Sequence, residues 1–414
     1  MHRTTRRDWL RASAGIGAAA PFFLVAKPVW GYSVDEVESK LGKGKGVSGV
    51  TLNDLPTPSL IIDLDRLEGN IAKMARHAKA APISLRPHGK THKCPEVARR
   101  QLAAGAIGLC SATISEAERM ADAGIPGILL TTESVGPNKI ARLVRLTAKH
   151  PDTMAAVDNP ENAAQLSEAA VAAKVSLNIM IDIDPIGRRT GIQPGEPALN
   201  LAKKVDKLPG LKLRGIHCYS GSSSHVTGFS ERKQHSERVM APPLETFERM
   251  KKDGLPAEIM SGTSTGTYNI DSSLNGMTEM QVGSYVFMDV DYRRIGGESN
   301  SIYNDFEPSL TVLGTVISKN YDDRATLDCG LKAFATDRKF GPEVIGITGV
   351  EYGFGGDEHG ILKITEPSRP VRLGDKFRFI VPHCDPNVNL YDRAYCVRGE
   401  NVVEVWPIGA RGHV

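Results

Sequence analysis

Residues 86–92 (Arg-Pro-His-Gly-Lys-Thr-His) bring a guanidinium, two imidazoles and an amine together within seven positions. They follow a short apolar stretch, and the two-residue period of a strand would place Arg86, His88 and Lys90 on one face. Crowded positive charges lower the pKa of a lysine toward a reactive neutral amine. The pattern predicts a Schiff-base lysine at Lys90, and a solvated basic edge strand is the alternative.

Residues 261–267 consist only of serine, threonine and glycine. Small residues let backbone N–H groups close around an anion, while the hydroxyl groups donate further hydrogen bonds. Because these residues directly follow a predicted strand, they form a candidate phosphate loop, with an ordinary surface loop as the alternative.

Residues 377–385 alternate apolar and other side chains and end in His383 and Asp385, which share one parity along the predicted strand. An imidazole with a carboxylate suits Mn²⁺, Mg²⁺ or Zn²⁺, with water or substrate at the remaining positions. Cys384 would point the other way if the strand continued past Pro382. The pair predicts a metal site, and a surface hydrogen bond is the alternative.

The elements that must position these residues alternate regularly along the chain. Amphipathic segments such as 114–123 and 161–173 separate most of eight candidate strands, at 84–88, 107–111, 127–131, 154–157, 176–182, 213–218, 257–261 and 279–282. This alternation predicts a (β/α)8 barrel, whose chemistry lies at the carboxyl ends of the strands. A doubly wound sheet competes, but no Gly-x-Gly-x-x-Gly turn follows an early strand.

After residue 295 the pattern changes to short alternating segments, at 309–317, 324–328, 343–350, 377–381 and 402–406. We therefore predict an α/β protein with a barrel over residues 50–295 and a second, all-β domain over residues 296–414. Residues 50–64, which precede the first predicted barrel helix, are expected to add a strand to the second domain.

Residues 1–31 have the pattern of an export signal. Arg6 and Arg7 precede Trp9 and Leu10, and the uncharged stretch 12–26 that follows is too short and too weakly apolar to anchor in a bilayer. We predict twin-arginine export to the periplasm. The formal charge of +3 is spread along the chain, and no second apolar stretch reaches membrane-spanning length, so neither nucleic acid nor a membrane is an expected partner.

Together these features resemble the alanine-racemase type of pyridoxal-phosphate enzyme, fold type III. Residues 86–93 resemble the signature of its metal-dependent D-threonine aldolase and D-serine dehydratase branch. Further matches to this branch lie at residues 55–58, 63–65, 187–191, 261–267, 283–289, 328–332 and 358–360.

The resemblance implies a role for each candidate residue. Lys90 would bind pyridoxal 5′-phosphate covalently, with His88 and Tyr219 as further catalytic residues. The other cofactor-binding residues would be Arg189, with Arg188 as the alternative, and Gly262, Thr263, Ser264 and Tyr285. His383 and Asp385 would hold the metal, Mn²⁺ or Mg²⁺ in preference to Zn²⁺. The implied assembly is a homodimer, and the implied substrate is a D-amino acid.

For the reaction, the resemblance implies a D-threonine aldolase, which splits D-3-hydroxy-α-amino acids into glycine and an aldehyde. Family aldolases carry His-x-Asp at the metal position, as this chain does, whereas family dehydratases tend to carry His-x-Cys. A D-serine or D-threo-3-hydroxyaspartate dehydratase with the same cofactors is the alternative. A non-catalytic pyridoxal-phosphate-binding protein is a third, against which the metal pair and the second domain argue.

Overall fold

A computed structural model describes residues 35–36 and 49–412, so the predicted signal segment lies outside the described residues. Among the described residues, no helix is long and apolar enough to cross a bilayer. The helices from residue 49 onward are α1 (Leu64–Ala80), α2 (Pro95–Ala103), α3 (Ile114–Asp122), α4 (Pro137–Lys149), α5 (Pro160–Ala173), α6 (Glu196–Lys207), α7 (Gly221–Ser224), α8 (Phe229–Lys252), α9 (Tyr268–Asp271), α10 (Val290–Arg293) and α11 (Cys384–Val388).

Strand β1 (Ser59–Asp63) belongs to the second sheet, and the next eight strands form a parallel sheet in the order β2-β9-β8-β7-β6-β5-β4-β3. They are β2 (Ser84–Leu85), β3 (Leu109–Ser111), β4 (Ile128–Leu130), β5 (Met154–Val157), β6 (Leu177–Asp182), β7 (Leu211–Cys218), β8 (Ile259–Gly262) and β9 (Glu279–Met280). A parallel bridge between His88 and Cys110 joins the two ends of this order. The predicted barrel is confirmed, with each strand within a few residues of its expected place.

The barrel helices form because their apolar residues recur at helical spacing behind a capped first turn. In α3 the Thr113 side chain accepts a hydrogen bond from the Glu116 N–H, and Ile114, Ala117 and Met120 are buried. Such faces pack on the outside of the sheet, which leaves the strand ends to position the site.

The second sheet contains β1 and the strands β10 (Leu310–Tyr321), β11 (Arg324–Leu327), β12 (Glu343–Val344), β13 (Val350–Phe354), β14 (Gly360–Ile364), β15 (Lys376–Ile380), β16 (Arg393–Arg398) and β17 (Asn401–Pro407). Strand β1 pairs antiparallel with β10 and parallel with β16, so residues 59–63 complete this sheet. The sequence did not predict β14 or β16. The single strand expected at 343–350 is wrong, because Gly346 and Gly349 take positive φ angles of 79° and 72° and interrupt it.

The two units meet beside the lysine segment. Helix α11 of the second unit contacts the 3-10 turn Gly89–Thr91 of the barrel. The Ala410 N–H donates to the Lys93 carbonyl at 3.0 Å, and the Val290 N–H donates to the Val381 carbonyl at 3.0 Å. These contacts bring the loop that carries His383 and Asp385 to the rim of the barrel.

Candidate active site

A cavity of about 240 Å³ lies at the carboxyl ends of the barrel strands. It is lined by His88, Lys90, Ala112, Thr131, Thr132, Arg189, Thr190, His217, Tyr219 and Gln281. Four side chains that the sequence assigns to the site, those of Lys90, His88, Arg189 and Tyr219, therefore lie around one space.

Lys90 reaches this cavity from a 3-10 turn, not from a strand. Strand β2 ends at Leu85, and the His92 N–H donates to the Gly89 carbonyl at 3.1 Å, which closes the turn. The predicted strand face shared by Arg86, His88 and Lys90 is therefore wrong, because the two-residue period stops before Lys90.

Arg86 does not crowd the lysine either. Its guanidinium donates to both carboxylate oxygens of Glu279, at 2.9 and 2.8 Å, and both side chains are buried. The expected lowering of the Lys90 pKa is likewise wrong. Burial lowers this pKa, but the Asp385 carboxylate, 3.8 Å from the amine, and Tyr219 outweigh it, so the net change is upward.

His88 presents a neutral imidazole to the cavity. Burial, followed by the charge of Lys90, lowers the pKa of His88 well below its usual value. Its Nε2 lies 3.2 Å from the Thr131 hydroxyl, and its Nδ1 accepts the Lys90 N–H at 3.4 Å. Because Nδ1 accepts that hydrogen bond, the proton of the neutral ring is on Nε2, which donates to the Thr131 hydroxyl.

Tyr219 lies between two cations. The Lys90 amine is 5.5 Å and the Arg189 guanidinium carbon 5.2 Å from the centre of its ring. Both arginines are exposed, but of the two only Arg189 lines the cavity, and Arg188 has a φ angle of 48°. The geometry thus favours Arg189 over Arg188 as the residue that faces a ligand.

The predicted phosphate loop begins where β8 ends at Gly262. A Cβ atom at Gly262 would lie 2.2 Å from the Cys218 carbonyl oxygen, so the close approach requires glycine. Thr263 takes a φ angle of 81°, and its buried hydroxyl has no hydrogen-bond partner among the described residues. A strained residue with an orphaned donor fits a loop shaped for an anion such as a phosphate group.

Tyr285 lies outside the cavity. Its side chain is fully buried, and its hydroxyl accepts a hydrogen bond from the Gln101 amide at 3.0 Å. Its backbone N–H donates to the Thr265 hydroxyl at 3.0 Å. The contact of Tyr285 with residues 261–267 is therefore made through its backbone, and its ring belongs to the core.

Asp385 lies 3.8 Å from the Lys90 amine, and His383 is close enough to affect the pKa of Asp385. The Nδ1 of His383 is 2.7 Å from an oxygen of Asp337, which leaves Nε2 as the ligating atom. Burial raises the pKa of Asp385, but Lys90, then His383 and Lys93, outweigh it and hold this pKa below its usual range. An ionised carboxylate and an oriented imidazole suit a divalent cation, and they leave the remaining positions to water or substrate.

We expected a continuous strand to place His383 and Asp385 on one face. That expectation is wrong, because β15 ends at Ile380 and α11 begins at Cys384. Cys384 is nevertheless fully buried, and its N–H donates to Asp289 at 2.9 Å. Burial raises the pKa of its thiol well above the usual value, which disfavours the thiolate that a metal would bind.

Sequence reasoning missed a chain of buried polar side chains beneath the cavity. Asp182 lies 2.5 Å from Nδ1 of His217, whose Nε2 lies 3.2 Å from the Gln281 amide oxygen. The Gln281 amide in turn donates to the Ser261 hydroxyl at 2.9 Å. The sequence contains one signal that could have revealed this chain of side chains: several apolar strands have a polar residue at their end or just after it.

Comparison with known proteins agrees with this fold and site. The family profile of the alanine racemase N-terminal domain matches residues 62–291, and a serine dehydratase domain matches residues 309–397. The crystal structure of D-threonine aldolase from Filomicrobium marinum superimposes with a TM-score of 0.84 at 36% identity, covering 90% of this chain and 100% of that one. The class is thus the alanine-racemase type with an added β domain.

Three curated relatives narrow the class. The chain is 37% identical to a 3-hydroxy-D-aspartate aldolase of Paracoccus denitrificans (strain Pd 1222), over 88% of this chain and 94% of the relative. It is 37% identical to an Arthrobacter D-threonine aldolase (88% and 95%) and 32% identical to a Delftia (strain HT23) D-threo-3-hydroxyaspartate dehydratase (79% and 88%). The chain belongs to this family of alanine-racemase-type lyases, which supports pyridoxal phosphate as its cofactor.

Proposed function

We propose that the chain is a pyridoxal-phosphate- and metal-dependent D-threonine aldolase, which cleaves D-3-hydroxy-α-amino acids to glycine and an aldehyde. The observation that carries the proposal is the placement of a His-x-Asp pair beside the cavity lysine, with Asp385 3.8 Å from the Lys90 amine. Two aldolases and a dehydratase among its relatives limit the reaction to cleavage of a carbon–carbon or a carbon–oxygen bond.

The residues around the cavity fit the cofactor. Lys90 supplies the amine that holds it, residues 262–264 and the free Thr263 hydroxyl suit its phosphate, and Arg189 with Tyr219 flanks the remaining space. When bound, pyridoxal phosphate supplies an electron sink for negative charge that develops on the substrate α-carbon. His88 lines the cavity beside Lys90 and is our candidate for a further catalytic residue, with a neutral ring that can donate a hydrogen bond from Nε2.

His383 and Asp385 would hold one divalent cation, which would make the substrate β-hydroxyl more acidic. The hard carboxylate favours Mn²⁺ or Mg²⁺ over Zn²⁺. Asp337 is the positioning residue of this site, because its contact with Nδ1 of His383 orients the ring. Position 385 carries aspartate where the His-x-Cys ligand set of the dehydratase alternative would carry cysteine, and Cys384, adjacent to His383, is fully buried.

The deciding experiment supplies D-threonine to the purified, metal-loaded enzyme and identifies the products. We expect glycine and acetaldehyde in equal amounts, with L-threonine as a control that differs only in its configuration. Formation of 2-oxobutanoate and ammonia would establish the dehydratase instead. Absence of any product would favour a non-catalytic binding protein.

We also propose that the enzyme is a homodimer that the twin-arginine route exports to the periplasm. The homodimer rests on the family resemblance. Export rests on Arg6, Arg7 and the uncharged stretch that follows them. This route carries folded proteins, so the cofactor would be bound before export. Sedimentation of the purified protein tests the homodimer, and cell fractionation tests export to the periplasm.

A further inference from the structure

Three carboxylates meet at the barrel rim, where β4, β5 and β6 end. Glu133 and Asp158 follow β4 and β5, and Asp182 is the last residue of β6. One oxygen from each lies within 4.8 Å of the other two, the only such group of three or more among the described histidine, cysteine and acidic residues. None of the three belongs to the pair proposed to bind the metal beside Lys90.

Asp182 gives the independent indication of a ligand. Only 4% of its side chain is exposed. One oxygen contacts Nδ1 of His217 at 2.5 Å, whereas Oδ2 is buried without a hydrogen bond of standard geometry, and Thr190 and Glu133 are the other polar neighbours of this carboxylate. Glu133 also has a buried carboxylate oxygen, Oε1, without a partner. Buried carboxylate oxygens are costly unless they are paired or coordinate a cation.

The charges and the ligand chemistry agree. His217 is the basic side chain that contacts the group. Burial, followed by the charge of Asp182, raises the pKa of Glu133 to about 7, as expected for a buried carboxyl group beside other carboxylates. Carboxylate oxygens are hard ligands of the kind that Mg²⁺, Mn²⁺ and Ca²⁺ prefer, and three of them leave room for water in the coordination sphere. A divalent cation would satisfy the free oxygens and relieve the repulsion between the carboxylates.

We propose that Glu133, Asp158 and Asp182 bind a divalent cation, distinct from the one at His383 and Asp385. The cation braces the loop of residues 183–192, which carries Arg189. The loop begins directly after Asp182, and its C-terminal end contacts two of the carboxylate residues: the Gly191 N–H donates to Asp158 Oδ2 at 3.0 Å, and the Ile192 N–H donates to the Asp182 carbonyl at 2.9 Å. Only the consequence for Arg189 rests on the proposed function, because cation binding itself needs no substrate.

Counting bound ions separates the two sites. The cofactor-loaded protein is stripped with a chelator, desalted and titrated with Mn²⁺, with free Mn²⁺ followed by electron paramagnetic resonance. The wild-type chain should bind two ions, and the double variant His383→Ala/Asp385→Ala should retain one. Adding Glu133→Gln to that double variant should weaken the remaining site by at least about tenfold. Glu161→Gln, which changes an exposed carboxylate of the neighbouring helix, should leave it unchanged.

Two results would overturn the proposal. The first is a double variant that binds no Mn²⁺, Mg²⁺ or Ca²⁺ at millimolar concentration while its thermal unfolding matches that of the wild type. The second is unchanged Mn²⁺ affinity when Glu133→Gln is added, which would mean that Glu133 and Asp182 share a proton instead. Neither result depends on product formation, so each is distinguishable from a failure of the aldolase assignment.

Discussion

The barrel and the β domain supply opposite sides of one site by different means. In the barrel, Lys90, Arg189 and Tyr219 line the cavity, and residues 262–264, at the end of β8, are proposed to hold the phosphate. The β domain contributes only His383 and Asp385, both near the single junction between β15 and α11. The comparison indicates a division of labour, in which the barrel holds a cofactor that suits several reactions and the second domain selects among them.

The largest effect is expected from the barrel side. Lys90→Ala should abolish the visible absorbance of the lysine-bound cofactor and all cleavage of D-threonine, because no other amine lines the cavity. Thermal unfolding should change little, since 34% of the Lys90 side chain is exposed and its amine contacts the Asp385 carboxylate at 3.8 Å and the Tyr219 ring at 5.5 Å. Absorbance that survives extensive dialysis would assign the linkage to another lysine, with Lys93 the nearest in sequence.

On the β-domain side, chelation or Asp385→Ala should remove activity but leave the cofactor absorbance, because the two sides bind their ligands separately. Cys384→Ala is the matched control, and it should keep the metal, since burial keeps this thiol protonated. Metal analysis and an absorbance spectrum of the Asp385→Ala and Cys384→Ala variants test these two expectations. Loss of the metal in Cys384→Ala, but not in Asp385→Ala, would identify a His-Cys pair and favour the dehydratase.

A smaller effect on the same side is expected from Asp337→Asn. Substitution of an outer-shell partner typically lowers metal affinity about 10- to 100-fold. Titration with Mn²⁺ measures this, and the cofactor absorbance should not change. Asp337 also pairs with Arg338 at 2.9 Å, so Arg338→Gln is the control that removes the ion pair and keeps the contact with His383. Equal losses of Mn²⁺ affinity in both variants would mean that the Asp337–Arg338 ion pair, and not the orientation of the His383 ring, supports metal binding.

The smallest effect on catalysis is expected outside both units. Replacement of Arg6 and Arg7 by lysine should leave active, cofactor-loaded enzyme in the cytoplasm, because folding precedes transport by this route. Activity measured in periplasmic and cytoplasmic fractions tests this. Undiminished periplasmic activity would show that these residues are not the export address.

The sequence by itself determined the barrel, the lysine and the metal-ligand candidates. Strand–helix alternation is a local property, and the residues of the phosphate loop and of the lysine segment are contiguous, so periodicity and composition reveal them. Local geometry was less accessible. The turn at Gly89–Thr91 depends on a hydrogen bond from His92, and the break at 343–350 depends on two glycines with positive φ angles.

Only the tertiary structure decided how distant residues combine. Glu279 neutralises Arg86 across 193 positions of the chain, and Asp385 lies beside Lys90 because α11 packs on the turn that carries the lysine. Burial lowers the pKa of Lys90, but Asp385 and then Tyr219 outweigh it and reverse the expected change. Glu133, Asp158 and Asp182 likewise meet only because three parallel strands end at one rim. Electrostatic interaction depends on distance in space, and separation along the chain does not reveal that distance.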